Sequence, residues 1–449
     1  MRRFFKHLLV MVGMMMSCTI NATVTNTPSD YVDPNIGTAH CRWFFYTPAA
    51  LPFGMAKVAP STNGHLGNKS GWEAVGYDFR HTSIEGFANF HEFQIGGVVI
   101  APTVGKLHTE PGELDNPDGG YRSRFDKKDE VAKPGYYSVL LKDYNIKAEL
   151  TATKRVGFHR YIFPKTQQAN LIFDIGNKQG ESGDVTDAAV RYYDDGRVEG
   201  YVVTSPMYVN TYQKGADVRM YFSAVVDKKP SCVGTFIKRD ISPNRHEVKG
   251  LGAGLYLTFS TNDNEAIQIK VGLSYTSIEN ARFNRESEAK SLDFDKAKSN
   301  AIKTWNEALG RISVQGGKQS DKVKFYTGLF HALLGRGLAS DANGYYPEND
   351  GTVGRISLDA KGNPLHNHYN TDAIWGAYWN LTQLWALAYP EYYSDWVSSQ
   401  LLVYKDAGWL GDGIACSKYV SGVGTNFVGL DRKSTRRTCH CCGIQLWHT

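Results

Sequence analysis

The residues best equipped for chemistry lie in loops and at one helical spacing. Trp72 and Glu73 close a stretch, Asn63-Gly64-His65 to Gly71-Trp72-Glu73, that is rich in Gly and Asn and lies between strand-like segments. An indole on a loop can stack on a sugar ring while Glu73 or His65 bonds its hydroxyls; the competing reading is a Trp that caps a β core. Trp375 and Trp379 stand four apart and share a face if the segment is helical, either in a core or against a sugar. Asp412, within Trp409-Leu410-Gly411-Asp412-Gly413, reads as a turn residue. Near the C-terminus, Cys439-His440-Cys441-Cys442 offers metal-ligand types. Adjacent ligands on one strand point in different directions, and structural zinc takes pairs spaced by about two to four residues, so no zinc site is expected.

The elements that must position these residues come from a globular chain. It has 449 residues, 42% apolar and 21% charged, which excludes a disordered or collagen-like polymer. At roughly 150 residues per domain, two or three domains are expected. The net charge of +5 is small, and basic residues cluster only at the chain ends, so nucleic acid is not an expected partner. The 26 Tyr, 21 Phe and 9 Trp suit sugar stacking as well as large cores.

The first 22 residues read as a signal peptide. Arg2, Arg3 and Lys6 precede a short apolar run over 8–16, and Ser17 to Ala22 supply small and polar residues. Cleavage after Ala22 is expected, with lipidation of Cys18 as the alternative. No later run is apolar enough for a transmembrane segment, so an exported protein is expected: periplasmic, cell-surface or secreted, in a bacterium. Outside the signal and the tail only Cys41, Cys232 and Cys416 remain, an odd number that implies no disulfide framework.

From about residue 30 to 280 the apolar pattern has period two. Ile267, Ile269, Val271, Leu273 and Tyr275 alternate with polar residues or Gly; so do Val218, Met220, Phe222, Ala224 and Val226, and Ala148, Leu150 and Ala152. Turn signals recur at 116–120, at Pro134-Gly135, at Asp195-Gly196 and at 262–264. This predicts a large antiparallel β-sandwich. Near residue 290 the period becomes helical: Phe294, Ala297, Ala301, Ile302, Trp305, Ala308 and Leu309 share a face, with Ser291 or Asp293 as N-cap. Further helices are expected around Val323, Tyr326, Phe330 and Leu333, over about 371–389, and over about 391–405.

The chain resembles a known family in a long ordered series of motifs. These are Tyr31-Val32-Asp33-Pro34-Asn35-Ile36-Gly37-Thr38, Pro48-Ala49-Ala50-Leu51-Pro52-Phe53-Gly54-Met55, Gly76-Tyr77-Asp78, Ile84-Glu85-Gly86-Phe87, His91, Pro134-Gly135-Tyr136-Tyr137, 148–153, 155–161, Ile278-Glu279-Asn280-Ala281 and Phe325-Tyr326-Thr327. In this order they resemble glycoside hydrolase family 92, the bacterial exo-α-mannosidases, over about residues 30 to 430. The resemblance implies an N-terminal antiparallel β-sandwich, a helical linker and the first part of an (α/α)6-barrel. The expected organisation is signal peptide 1–22, sandwich 23–283, linker 284–312, partial catalytic barrel 313–430, and an aberrant tail over 431–449 that reads as a frameshift or gene-model artefact.

The same resemblance implies a calcium-dependent, inverting hydrolase acting on mannose-containing glycans, with a Glu as general acid and an Asp as general base. No residue of this sequence is matched to the acid, the base or a calcium ligand; these are expected beyond the chain, which would leave it an incomplete and inactive form. His91 and Glu92 stand where the family has a His-containing loop facing the sugar; a structural hydrogen bond for His91 and an Arg partner for Glu92 are the alternatives. Trp375 stands where many relatives have Trp followed by a substrate-binding Asp, but here Gly376 follows, and Asp372 is one turn too early to replace that Asp. The expected sugar contacts are thus Trp72, Glu73, His91, Glu92, Trp375 and Trp379. A non-catalytic carbohydrate-binding sandwich, or another (α/α)6 hydrolase or phosphorylase, is the competing reading.

Overall fold

A computed structural model describes residues 26–39, 46–63, 76–92, 95–177, 182–206, 217–335, 337–348, 351–369, 377, 379–407 and 420–421. The signal peptide, Cys41, Cys416, Asp372, Asp412 and the cysteine-rich tail lie outside these residues. Two antiparallel sheets pack face to face. The eight-stranded sheet runs, in spatial order, Ala49–Ala50, Lys57–Ser61, Gly86–Glu92, Ile95–Val104, Thr166–Asp174, Ala253–Thr261, Cys232–Ile237 and Asp240–Pro243. The larger sheet runs Glu247–Lys249, Asp184–Tyr192, Arg197–Ser205, Asp217–Val226, Glu265–Ser274, Val156–Phe163, Ile146–Ala152, Tyr136–Leu141 and Val131–Lys133, with Val420–Ser421 pairing beside Asp217–Val226.

The alternating residues explain the sandwich. Val218, Met220, Phe222 and Ala224 are fully buried, as are Ile267, Ile269, Val271 and Leu273, and they face the other sheet. Phe173 of the first sheet stacks on Phe222 of the second with ring centroids 6.4 Å apart, and Phe87 meets Tyr161 at 5.8 Å. The turn signals serve as hairpins: Gly196 and Asn264 both take positive φ. At Glu149 and Thr151 the alternation fails, because the outward residues there are buried too. Helices cover that outer face, so Glu149 accepts bonds from Arg160 Nε (2.7 Å) and the Tyr136 hydroxyl (2.6 Å), while Thr151 Oγ1 donates to Gly135 O (2.8 Å).

Five helices are described after the sandwich. Helix α1, Ile278–Ala289, starts just past the last strand and was not legible in the pattern, since its buried residues are Ala281, Asn284, Arg285 and Ala289. Half of that face is polar, and an apolar periodicity cannot reveal it. It begins within the range expected for the sandwich. Helix α2, Phe294–Leu309, is capped by Asp293, whose side chain accepts from Lys296 N, and it buries Phe294, Ala297, Ala301, Trp305 and Leu309. Helix α3, Gln319–Leu334, buries Tyr326, Phe330 and Leu333. Helices α4, Leu381–Ala388, and α5, Pro390–Ala407, follow.

The sandwich and the helices share one aromatic joint. Phe53 projects from the first sheet with φ 56°. Its ring stacks on Tyr392 at 3.4 Å between centroids and meets Trp385, Tyr369 and Tyr389 edge-on. Its backbone is tied on both sides, N donating to Leu333 O (2.8 Å) and O accepting from Leu338 N (2.9 Å). Trp305 Nε1 donates to Ala50 O (2.7 Å), and Asp33 N donates to Thr327 Oγ1 (3.0 Å). The helical region is therefore docked by rings and by backbone bonds.

Candidate functional site

One end of the sandwich gathers the polar groups of interest. The strand Gly86–Glu92 turns back into Ile95–Val104, with His91 paired opposite Gly96 at the mouth of that hairpin. The imidazole is buried, at 1% exposure, and stacks on Tyr46 with centroids 4.3 Å apart. The Tyr46 hydroxyl donates to the backbone oxygen of His91 itself. Burial, and next the Lys57 ammonium, push the imidazole down to about 3, with Glu85 opposing. The ring is thus neutral at physiological pH, with one nitrogen to donate and one to accept.

Lys57 opens a strand whose five residues are all buried. A side chain at Gly337 would come within 2.9 Å of Lys57 Nζ, so the bare glycine leaves the ammonium its room against the segment that follows α3. Beneath lies a second buried charge group. Glu85 accepts from Arg122 Nη2 at 3.0 Å and from the Ser61 hydroxyl; both members of the ion pair are fully buried. Arg122 also donates to Ser83 Oγ (2.9 Å), Thr62 O (3.2 Å) and Pro111 O (3.4 Å). The guanidinium is satisfied by the fold, which marks it as structural rather than as a ligand waiting for a substrate.

The segment carrying Trp72 and Glu73, itself outside the described residues, leaves from this cluster. Thr62 N and Asn63 N both donate to Gly76 O, at 2.7 and 3.1 Å, which closes the base of residues 64–75. Tyr46, Ala59 and Tyr77 form one small apolar cluster there, so the ring that covers His91 also packs at the loop base. His91 and the loop base are thereby brought together. Trp72, Glu73 and Trp375 lie outside the described residues, as does the side chain of Glu92, which closes the same hairpin. Trp379 is described and is 66% exposed. It sits in a turn ahead of α4, where Asn380 takes φ −158°. Trp385 and Trp396 of this region are buried, and Trp385 Nε1 donates to Ala332 O (3.1 Å).

Lys57, Tyr46, Glu85 and Arg122 were not read as site residues from the sequence. A single charged residue inside a strand carries no periodic signal, and only the fold shows that Lys57 and Glu85 both act on His91. The arrangement supplies a neutral imidazole, a buried ammonium and aromatic faces at the mouth of a sandwich. These groups suit polyol recognition; among the described residues no group of three or more His, Cys, Asp and Glu could hold a metal ion.

A β-sandwich joined through an aromatic joint to a following set of helices, with a polar end at the junction, is the layout of a class of carbohydrate-active enzymes. The glycosyl hydrolase family 92 N-terminal domain matches residues 31–274, and the family 92 catalytic domain matches residues 280–427. The chain belongs to glycoside hydrolase family 92. Its fold is similar to that of a family GH92 α-mannosidase from Bacteroides thetaiotaomicron solved in complex with mannoimidazole: TM-score 0.79, 23% identity, 93% of this chain and 56% of that one. A GH92 inverting mannosidase from the same organism gives a TM-score of 0.73 at 21% identity, over 87% of this chain and 50% of that one. Among curated proteins, an uncharacterised secreted glycosidase of Arthroderma benhamiae is 26% identical over 337 residues, 68% of this chain and 41% of that protein. The chain spans about half the length of these relatives.

Proposed function

We propose that this chain serves an exo-acting α-mannosidase that removes terminal α-mannosides from glycans such as N-glycans or mannans. The observation that carries the reading is the match to both domains of family 92 in order, over residues 31–274 and 280–427. The fold likeness to an α-mannosidase bound to mannoimidazole agrees with it. Trp72, Glu73, His91, Glu92, Trp375 and Trp379 are the proposed sugar contacts. For His91 the contact requires Tyr46 to move aside, because the ring is covered in the arrangement described. Export is proposed from the N-terminal segment and from the secreted relative, with a lipid anchor at Cys18 as the alternative to cleavage after Ala22. No described helix is long and apolar enough to cross a membrane.

Family resemblance implies calcium and an inverting Glu/Asp pair. The described residues offer no group of three or more His, Cys, Asp and Glu for a metal ion, so no calcium ligand is assigned and no step is routed through the ion. No acid or base is assigned either. The test has two arms on the 449-residue protein. Titration with α-1,2-, α-1,3- and α-1,6-mannobiose and with mannoimidazole should give saturable binding that gluco- and galacto-configured controls lack. Hydrolysis of the same mannobioses, with and without a chelator, should be undetectable. Equal binding of all sugars, or none, defeats the mannoside reading; turnover would mean that an acid and a base lie among these residues.

A further inference from the structure

A buried carboxylate ties the helical region to the sandwich at the edge of the site. Asp341 is fully buried, in the strap that follows α3. Its Oδ1 accepts from Asn284 Nδ2 of α1 at 2.7 Å, and its Oδ2 accepts from the Thr276 hydroxyl just past the last sandwich strand. Each partner is itself held. Thr276 Oγ1 accepts from Asn280 Nδ2 (2.7 Å), while Asn284 Nδ2 also donates to Leu273 O (2.7 Å) and Asn284 Oδ1 accepts from Ala342 N (2.8 Å). Three elements therefore meet on one side chain: the sandwich end, α1, and the turn 341–345, where Asp341 N donates to Tyr345 O (2.8 Å).

The residues just before Asp341 form the wall beside the candidate site. Gly337 backs Lys57, Leu338 N donates to Phe53 O, Ala339 N donates to His368 O (2.7 Å), and Ser340 O accepts from Arg155 Nε (2.7 Å). Every one of these contacts depends on where the strap lies, and its far end is held by Asp341. We propose that Asp341 is the positioning residue of this site: it pins residues 337–341 against the sandwich and so sets the wall against which Lys57, the ammonium that acts on His91, is held. The placement of the sugar site at this end rests on the function proposed above; the pinning does not.

Burial pushes the Asp341 carboxyl up to about 6, with Thr276, Ser274, Asn284 and the Arg155 guanidinium opposing. The charged and titratable groups around it are Arg155 and Glu288, paired at 2.8 Å, from the sandwich and α1; Arg285 of α1; Tyr345, Tyr346 and Arg355 on its own side; and His368 from the adjoining segment. Asp341→Asn keeps the shape and mimics the neutral form, since its amide can donate to Thr276 Oγ1 and its oxygen can accept from Asn284.

The experiment is amide hydrogen exchange on the full chain between pH 5 and 8, corrected for intrinsic rates. Asp341→Ala should speed exchange at Leu338, Ala339 and Asp341 by about tenfold or more, with sandwich amides such as Leu255 and Leu257 unchanged. Asp341→Asn should restore most of the protection and lack the inflection near pH 6 that is expected of the wild-type strap. Unchanged exchange in the alanine variant overturns the proposal. So does an inflection that persists in Asp341→Asn, which would assign it to a group other than Asp341. If the alanine variant does not fold, Thr276→Val and Asn284→Ala, each removing one donor, must loosen the same three amides or the proposal fails. Mannobiose affinity is read on the same variants. A loosened strap with weakened binding supports both readings, and a loosened strap with unchanged binding sustains the pinning while removing the sugar site from this wall.

Discussion

Replacing Phe53 should separate two opposing effects at the joint. The ring is 8% exposed, stacked on Tyr392 and ringed by Trp385, Tyr369 and Tyr389. Removing such a ring costs about 3–5 kcal/mol from lost transfer energy and the cavity left behind. Its aromatic contacts add about 0.5–1.5 kcal/mol per pair beyond area, partly counted in that range. Against this, φ 56° is a strained backbone for any residue with a Cβ, by about 1–2 kcal/mol, and only glycine relieves it. Packing should therefore win. Phe53→Ala should destabilise the helical region by about 3–5 kcal/mol, and Phe53→Gly by about 1–2 kcal/mol less than that. The two parts of the chain need not unfold together, so a single midpoint is not the right readout. Exchange at the Leu338 amide, which bonds Phe53 O, and fluorescence of buried Trp385 and Trp396 report the joint directly. Phe53→Gly as stable as wild type would show that relief of strain fully offsets the lost packing and would refute the reasoning.

Three further outcomes follow from the same structure. Arg122→Met leaves the Glu85 carboxylate buried without its ion partner and should cost about 3–5 kcal/mol in urea unfolding, whereas Arg122→Met with Glu85→Gln should recover a large part of it; equal losses would mean the pair is not coupled. Gly135 takes φ 79° and an added Cβ would lie 2.9 Å from Ala301 Cβ, so Gly135→Ala should lower stability by about 1–3 kcal/mol and loosen α2; a neutral result would contradict the close helix–sheet approach. His91 and His159 are both pushed down to about 3 by burial, so the unfolded chain takes up protons there first. Their contribution is present above about pH 6.5 and is lost as pH falls toward 3. Imidazole NMR shifts should remain those of neutral rings at pH 5, and titration of His91 near pH 6.5 would show that its ring is solvated.

The sequence by itself determined the class of fold and the family. Period-two runs such as Val218 to Val226 can bury one face only as strands, and the run Phe294, Ala297, Ala301, Trp305 and Leu309 can bury one face only as a helix. These are local rules, each satisfied by neighbours in the chain. What lay beyond them was every contact set by residues far apart. The apolar pattern did not show helix α1, although the family resemblance placed a helical linker from 284, because its buried face includes Asn284 and Arg285, whose partners Leu273, Ser223 and Asp341 are brought in from elsewhere. Spacing alone left Trp379 open between a core and a sugar face; the fold leaves it 66% exposed in a turn and buries Trp385 and Trp396 instead. Lys57, Glu85 and Arg122 read as unremarkable charges until the fold enclosed them together. A buried charge is tolerated only where its partners arrive, and those partners are supplied by tertiary structure rather than by any period in the chain.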